Sequence, residues 1–144
     1  MKRTPADDAF SRCVRERANW TCELCKTIHP DAQATGRSRA LHCSHFIGRG
    51  NWSVRFDISN AFCHCYACHV RFGSDKYLQE KHYLEVFSEH EQLLLVEKKH
   101  NNQLGKLARK SQKEIAAHYK AEYGRMRKSR AGGCNGRLEF ENWI

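Results

Sequence analysis

Two C-x-x-C pairs are the strongest chemical signal in the sequence. Cys22 and Cys25 form the first pair, Cys65 and Cys68 form the second, and 39 residues lie between them. Each pair can present two thiolates to one tetrahedral Zn²⁺ ion, and four sulfur ligands make the closed site that structural zinc prefers. A redox role would require a thioredoxin-like βαβ context, which the sequence lacks. We therefore expect a structural zinc ion that ties the two pairs together.

Several side chains suited to hydrolytic chemistry lie between and beside these pairs. His42 and His45 are three residues apart, Asn60 comes later in the same segment, and His69 directly follows Cys68. A histidine titrates near neutral pH and can act as a general base, and its ring nitrogens also bind metal ions. A single buried histidine is usually a packing residue, but this group inside one zinc-tied segment favours a functional site.

This arrangement resembles the HNH family of ββα-metal nucleases, in its zinc-containing branch. The family pattern is a C-x-x-C pair, a strand with the first histidine, a turn, an asparagine, and a second C-x-x-C pair followed by a histidine at a helix start. The matching residues in this chain are Cys22, Cys25, His45, Asn60, Cys65, Cys68 and His69. Across roughly residues 6–130 the layout also looks like the phage lambda NinG (Rap) recombination nucleases, through residues 10–25, 44–49 and 55–60.

The resemblance implies a role for each of these side chains. His45 would be the general base that deprotonates a water molecule, which attacks the phosphorus in line while the 3′-oxygen leaves. His69 would bind one catalytic Mg²⁺ or Mn²⁺ ion, which stabilises charge on the phosphate and on the leaving oxygen. Asn60 would fix the loop and thereby orient His45.

One position departs from the family pattern. Many HNH enzymes place an acidic or histidine metal ligand immediately before the base, where this chain has Ser44. Residues one and three positions before the base share a face of a regular strand. His42 is therefore the first candidate for the second metal ligand, and Asp57 is the alternative.

Two neighbouring residues leave alternatives open. Cys63 lies close enough to the second pair to make its register uncertain from sequence. His64 suits either a metal ligand or a packing residue. His29, His82, His90, His100 and His118 fall outside the motif, and we interpret them as ordinary surface or helix residues.

The net charge of +9 is concentrated in one segment. Residues 98–130 hold 11 of the 25 Lys and Arg residues but only two acidic residues, Glu114 and Glu122. Such a surface is typical of proteins that bind a polyanion, most simply DNA, although a solvated helix face is the plain alternative. The side chains expected to contact phosphates are Arg49, Arg55, Lys106, Arg109, Lys110 and Lys113.

The pattern along the chain predicts a small α+β fold with a zinc-stapled ββα-metal core. Thr4 and Pro5 predict a helix start, and that helix should end near Asn19. Residues 40–47 and 52–56 predict two strands around a glycine turn, which would form a hairpin. A capping box at Ser88 predicts a later helix, and one long amphipathic helix should follow it and end before residues 132–133.

Three regions follow from these elements. Residues 1–73 would form the N-terminal helix and the nuclease core, residues 74–131 a basic helical DNA-binding extension, and residues 132–144 a tail. The longest aliphatic run covers residues 93–96, and residues 1–20 lack the apolar stretch of a secretory signal. We therefore expect no membrane segment and a cytoplasmic protein, in the host bacterium if a phage encodes it.

The function expected from these observations is metal-dependent DNA endonuclease activity. The resemblance implies phosphodiester hydrolysis on branched DNA, such as Holliday junctions, in phage recombination, with a homodimer as a possible arrangement. One alternative is a general or packaging-associated HNH nicking enzyme. Another is a catalytically inactive zinc module that only binds DNA.

Overall fold

A computed structural model describes residues 1–144. Seven helices surround one small sheet, which makes a mixed α+β fold as the sequence predicted. In chain order the elements are α1 (Pro5–Arg17), α2 (Pro30–Thr35), β1 (Leu41–His45), β2 (Ala61–Cys65), α3 (Tyr66–Ser74), α4 (Lys76–Val86), α5 (Glu89–Lys99), α6 (Asn102–Lys110) and α7 (Gln112–Ala131). None of the helices is long and apolar enough to cross a membrane.

Helix α1 begins where the local sequence predicted it. The Thr4 side chain accepts the backbone N–H of Asp7, the Asp7 carboxylate accepts the N–H of Thr4, and Pro5 occupies the first turn. This reciprocal capping satisfies donors that a helix start otherwise leaves unpaired. The helix buries Phe10 and Val14 and packs along most of α7. Helix α1 therefore packs the N-terminal part of the chain against its last helix, α7.

The sheet has two antiparallel strands, but its second strand was predicted wrongly. β1 pairs with residues 61–65, with Leu41 opposite Cys65 and His45 opposite Ala61. Residues 52–56 form consecutive turns instead. Val54 and Phe56 are buried there, so their apolar character reflects core packing of a loop and does not indicate a strand. The hairpin follows the first cysteine pair, and its second strand ends at Cys65 of the second pair.

The C-terminal half is helical, with one difference from the sequence prediction. The Ser88 capping box is present at the start of α5, as predicted. The expected single amphipathic helix is divided at Ser111 into α6 and α7. The break lets α6 lie against the turn at Ser53, where Gly105 approaches the backbone closely, while α7 runs along α1. Helix α7 ends at Ala131, before the two glycines.

Three buried clusters hold these elements together. The largest joins α1 to α6, α7 and the tail, a second lies under the cysteine pairs, and a third joins β2 to helices α3–α5. The tail beyond residue 132 docks on the body, because Phe140 is buried against Phe10 and Tyr119. The Leu138 N–H also donates to the backbone carbonyl of Arg17. The tail is thus part of the core.

Candidate functional site

The four cysteines of the two C-x-x-C pairs meet in one cluster. The first pair lies on a tight knuckle after α1, and the second spans the end of β2 and the first turn of α3. All four Sγ atoms lie within 4.8 Å of one another, and the Sγ atoms of Cys25 and Cys65 are 3.8 Å apart. Two sulfurs bound at zinc's usual distance in a tetrahedron are about 3.8 Å apart. The cluster could therefore bind a zinc ion.

The surroundings of the cluster favour thiolate ligands at its exposed edge. The Thr27 hydroxyl and backbone lower the pKa of the Cys25 thiol to about 6. Cys63 lies apart from the cluster in the buried core below it, where burial raises the pKa of its thiol. The register of the second pair is therefore Cys65 and Cys68.

Glu23, inside the first pair, connects the knuckle to the hairpin and to the tail. One carboxylate oxygen accepts the backbone N–H of Cys63 at 2.7 Å, and the other pairs with Arg137 at 2.7 Å. The Glu23 N–H also donates to the Cys63 carbonyl at 2.8 Å. These bonds fix the position of the knuckle independently of a metal.

A polar pocket of about 390 Å³ opens between α1, β1 and α3. Three histidines predicted from sequence line it together: His42, His45 and His69. The other lining residues are Arg3, Asp7, Phe10, Ser11, Arg15, Leu41, Cys43 and Arg49. The fold thus brings imidazoles and arginines to one cavity.

His45 is held in one orientation. Its Nε2 atom lies 3.0 Å from the backbone carbonyl of Arg55. Because a carbonyl only accepts hydrogen bonds, Nε2 carries the proton and Nδ1 keeps a free lone pair. Burial lowers the pKa of His45 to about 4, more than the Arg55 carbonyl bond raises it. At neutral pH the ring is therefore neutral, with an unprotonated Nδ1.

The rings of His69 and His42 form a stacked pair. The Ser44 hydroxyl lies 2.7 Å from His69 Nδ1, which leaves Nε2 of that ring available to a ligand. The His42 ring stacks on His69, with centroids 5.1 Å apart and planes 9° from parallel. Burial and the neighbouring His69 lower the pKa of His42. Ser44 orients a histidine here, a role that its residue type alone did not indicate.

Asn60 binds the loop that follows β1. Its side chain accepts the Ile47 N–H at 2.7 Å and donates to the carbonyls of Ile47 and Val54 at 2.9 and 3.0 Å. Its backbone carbonyl accepts the Phe46 N–H. The side chain is fully buried and does not line the pocket. Asn60 thus fixes the backbone on the C-terminal side of His45.

Three arginines line the pocket, of which Arg3 also pairs with Asp8 at 2.8 Å and Arg49 lies 3.9 Å from Asp7. Arg49 was a predicted phosphate contact, whereas sequence reasoning missed Arg3 and Arg15. Arg15 lies on the same face of α1 as Ser11, which its guanidinium contacts at 3.3 Å. The four-residue spacing of Asp7, Ser11 and Arg15 along α1 is the signal that could have found this face.

Arg55 and Asp57, like Asn60, lie outside the pocket. Arg55 is 1% exposed, and its guanidinium forms two hydrogen bonds with Asp7, at 2.9 and 2.6 Å, so it cannot reach a phosphate. Asp57 caps the turn at Ser59 and pairs with Lys98 at 2.7 Å, so it is not a second metal ligand. Both residues are structural.

His64 and His82 are also structural. Their Nε2 atoms lie 2.9 Å apart in the third cluster, and burial lowers the pKa of His64 to about 3. His82 lies on α4, which agrees with the expectation of a surface or helix residue, and its side chain is buried. His64 packs against Phe62 and Phe72 and takes no part in the pocket.

The basic surface is smaller than the sequence suggested. Lys106 and Arg109 line a groove beside Trp52, and Lys110 and Lys113 are exposed. Other cations of the segment bind the protein itself. Arg125 pairs with Glu122, Arg127 pairs with Glu16, and Arg130 donates to backbone carbonyls.

The pocket contains the groups needed for acid–base chemistry on an anion: a neutral imidazole, two further imidazoles and three guanidinium groups. The cysteine cluster could hold a structural metal. Comparison with protein-family models, curated proteins and solved structures finds no match for this chain.

Proposed function

We propose that the protein is a metal-dependent DNA endonuclease of the HNH kind, which hydrolyses phosphodiester bonds. The observation that carries this proposal is His45: a neutral imidazole with Nε2 fixed by the Arg55 carbonyl, in a pocket shared with His42, His69 and Arg49. A base with a free nitrogen beside cationic side chains suits attack of water on a phosphate diester.

The surrounding elements support the same interpretation. A two-stranded antiparallel hairpin leads directly into α3, with His45 at the end of the first strand and His69 in the first turns of the helix. The cysteine cluster ties the knuckle to this unit at the junction of β2 and α3. This order of elements agrees with the resemblance to zinc-containing ββα-metal nucleases.

The residues of the pocket divide the chemistry between them. His45 Nδ1 takes a proton from water, and the resulting hydroxide attacks the phosphorus opposite the 3′-oxygen. The P–O3′ bond breaks, the oxygen leaves and is protonated by solvent, and the products are a 5′-phosphate and a 3′-hydroxyl. Arg3, Arg15 and Arg49 would hold the phosphate oxygens, because guanidinium groups form charge-assisted hydrogen bonds with them.

His69 Nε2 and His42 would hold the catalytic cation. Both rings line the pocket, and Ser44 fixes the His69 ring. Imidazole ligands suit Mn²⁺ better than Mg²⁺, which prefers oxygen. When bound, such a cation supplies charge stabilisation to the phosphate and the leaving oxygen. Ser44 would act on this site only by positioning His69.

The preferred DNA substrate rests on the resemblance to recombination nucleases, which implies branched DNA. A general or packaging-associated nicking enzyme would use the same pocket on ordinary duplex. The departure at Ser44, where many HNH enzymes have a metal ligand, favours a different second candidate: an inactive zinc module that binds DNA without cutting it.

A cleavage assay on a panel of substrates separates these candidates. End-labelled four-way junction, duplex and single-stranded DNA of matched sequence would be incubated with the protein and Mg²⁺, Mn²⁺ or chelator. We expect metal-dependent cuts that leave 5′-phosphate ends, with the junction cut fastest. Equal cutting of every substrate would retain the nuclease and reject branch preference. Tight binding without cutting in either metal would reject the enzyme in favour of the binding module.

A further inference from the structure

A second basic groove lies on the other flank of α1, away from the pocket. It has a volume of about 510 Å³ and lies between α1 and α7. Its lining residues are Pro5, Asp8, Ala9, Arg12, Lys120 and Tyr123. Arg12 and Lys120 are exposed, and neither has a carboxylate partner. The one acidic residue, Asp8, is already paired with Arg3 at 2.8 Å.

Helix α7 extends this groove into a longer basic line. Lys113, Lys120 and Lys128 are all exposed and are separated by seven and eight residues, so they lie on one side of the helix. The ion pairs of α7 involve other positions, Arg125 and Arg127. The three lysines therefore keep their charge for an external partner over about 22 Å of helix.

The groove and the proposed active-site pocket are separate concavities on two flanks of α1. Arg12 faces the groove and Arg15 faces the pocket, and the two are three residues apart on α1. Side chains at this spacing are surface neighbours, about 5–6 Å apart at Cβ. Neighbouring residues of α1 thus place Arg12 in the groove and Arg15 in the pocket. This is the arrangement expected where a single extended polyanion crosses α1.

We infer that the groove between α1 and α7 binds the DNA backbone outside the cleaved position. Arg12 and Lys120 contact phosphates in the groove, and Lys113 and Lys128 continue the contact along α7. This inference rests on the proposed nuclease function and adds a defined second surface to it. Charge complementarity selects the occupant, because the groove offers cations with no internal partner and a backbone phosphate supplies the matching charge.

The test is the salt dependence of DNA binding by the full chain. Wild type, the double variant Arg12→Gln/Lys120→Gln and the control Lys76→Gln/Lys81→Gln would be titrated with a labelled 30-base-pair duplex, without divalent metal, at several salt concentrations. The control removes the same charge from exposed positions on α4, outside the groove. Circular dichroism would verify that each variant is folded.

We expect the plot of log affinity against log salt to be shallower for the groove variant. Its negative slope should decrease in magnitude by about 2, because each lost phosphate contact contributes about 0.9. The control should match wild type. Equal slopes and affinities for the two variants would reject the groove while leaving the nuclease proposal intact. Absence of salt-dependent DNA binding by wild type itself would overturn both proposals.

Discussion

The protonation state of His45 follows from two contacts that a sequence does not display. The Arg55 carbonyl assigns the proton to Nε2, and burial near Phe10 keeps the ring neutral. The sequence identified His42, His45 and His69 through their spacing around the cysteine pairs. It could not separate Arg49 from Arg55, because both follow the first strand and only the fold shows that one is buried.

The buried ion pair between Arg55 and Asp7 gives a residue-scale prediction about stability. The Asp7 side chain is 5% exposed, and the two groups are 2.6 Å apart. Removing one member of a buried pair leaves the other uncompensated, at a cost of about 3–5 kcal/mol. We expect Asp7→Asn to lower the free energy of unfolding by that amount in urea denaturation. The neighbouring Asp8→Asn, which affects an exposed pair with Arg3, should lower it by less than about 1 kcal/mol.

The same pair predicts how this difference depends on pH. Burial raises the pKa of Asp7, but hydrogen bonds from Arg55 and Thr4 outweigh burial and hold it below its usual value. The stabilisation is therefore present above the pKa of unfolded Asp, about 3.9, and is lost as pH falls through the folded-state pKa. The gap between wild type and Asp7→Asn should narrow in acid. A gap that widened below about pH 4 would contradict this assignment.

The helix starts, which depend on residues close in sequence, were predicted correctly, whereas the strand that pairs with β1 was not. The helix start at Thr4 and the capping box at Ser88 depend on residues close in sequence, and both appear where predicted. The partner of β1 depends on tertiary packing. Residues 61–65 contain two cysteines and a histidine, and these residue types do not indicate a buried strand. Residues 52–56 suggested a strand instead, because their alternate positions are apolar.

The docked tail supplies a prediction at this scale. Phe140 is 2% exposed and packs between α1 and α7, and the Asn142 side chain accepts the Ile58 N–H at 2.9 Å, next to the turn that carries Asn60. Phe140→Ala should cost about 3–5 kcal/mol in unfolding free energy, because it leaves a cavity in the largest cluster. Ile144→Ala, at a residue that is 64% exposed, should have little effect. Similar effects from the two substitutions would show that the tail does not belong to the core.

At the scale of the whole molecule, we expect one zinc ion to hold the knuckle, the hairpin and α3 together. Cys68→Ser should abolish zinc binding and lower the melting temperature, because metal binding contributes directly to folding. Cys134→Ser removes an exposed cysteine outside the cluster and should change neither quantity. The measurements are zinc content by elemental analysis and thermal unfolding by circular dichroism. Full stability in a Cys68→Ser protein shown to lack zinc would rule out the structural role.

We expect a metal-tied body to present His45, neutral and oriented, to a phosphate held by arginines. The most direct measurement is single-turnover cleavage of the DNA substrate by wild type, His45→Ala and a control, His90→Ala, at saturating Mn²⁺. His90 is exposed on α5 and does not line the pocket.

Loss of a general base typically costs about 10²–10⁴-fold in rate. We expect a loss of that size for His45→Ala, with unchanged DNA affinity and circular dichroism, and a wild-type rate for His90→Ala. A His45→Ala protein that cuts as fast as wild type, or a wild type that does not cut in either metal, would contradict this expectation.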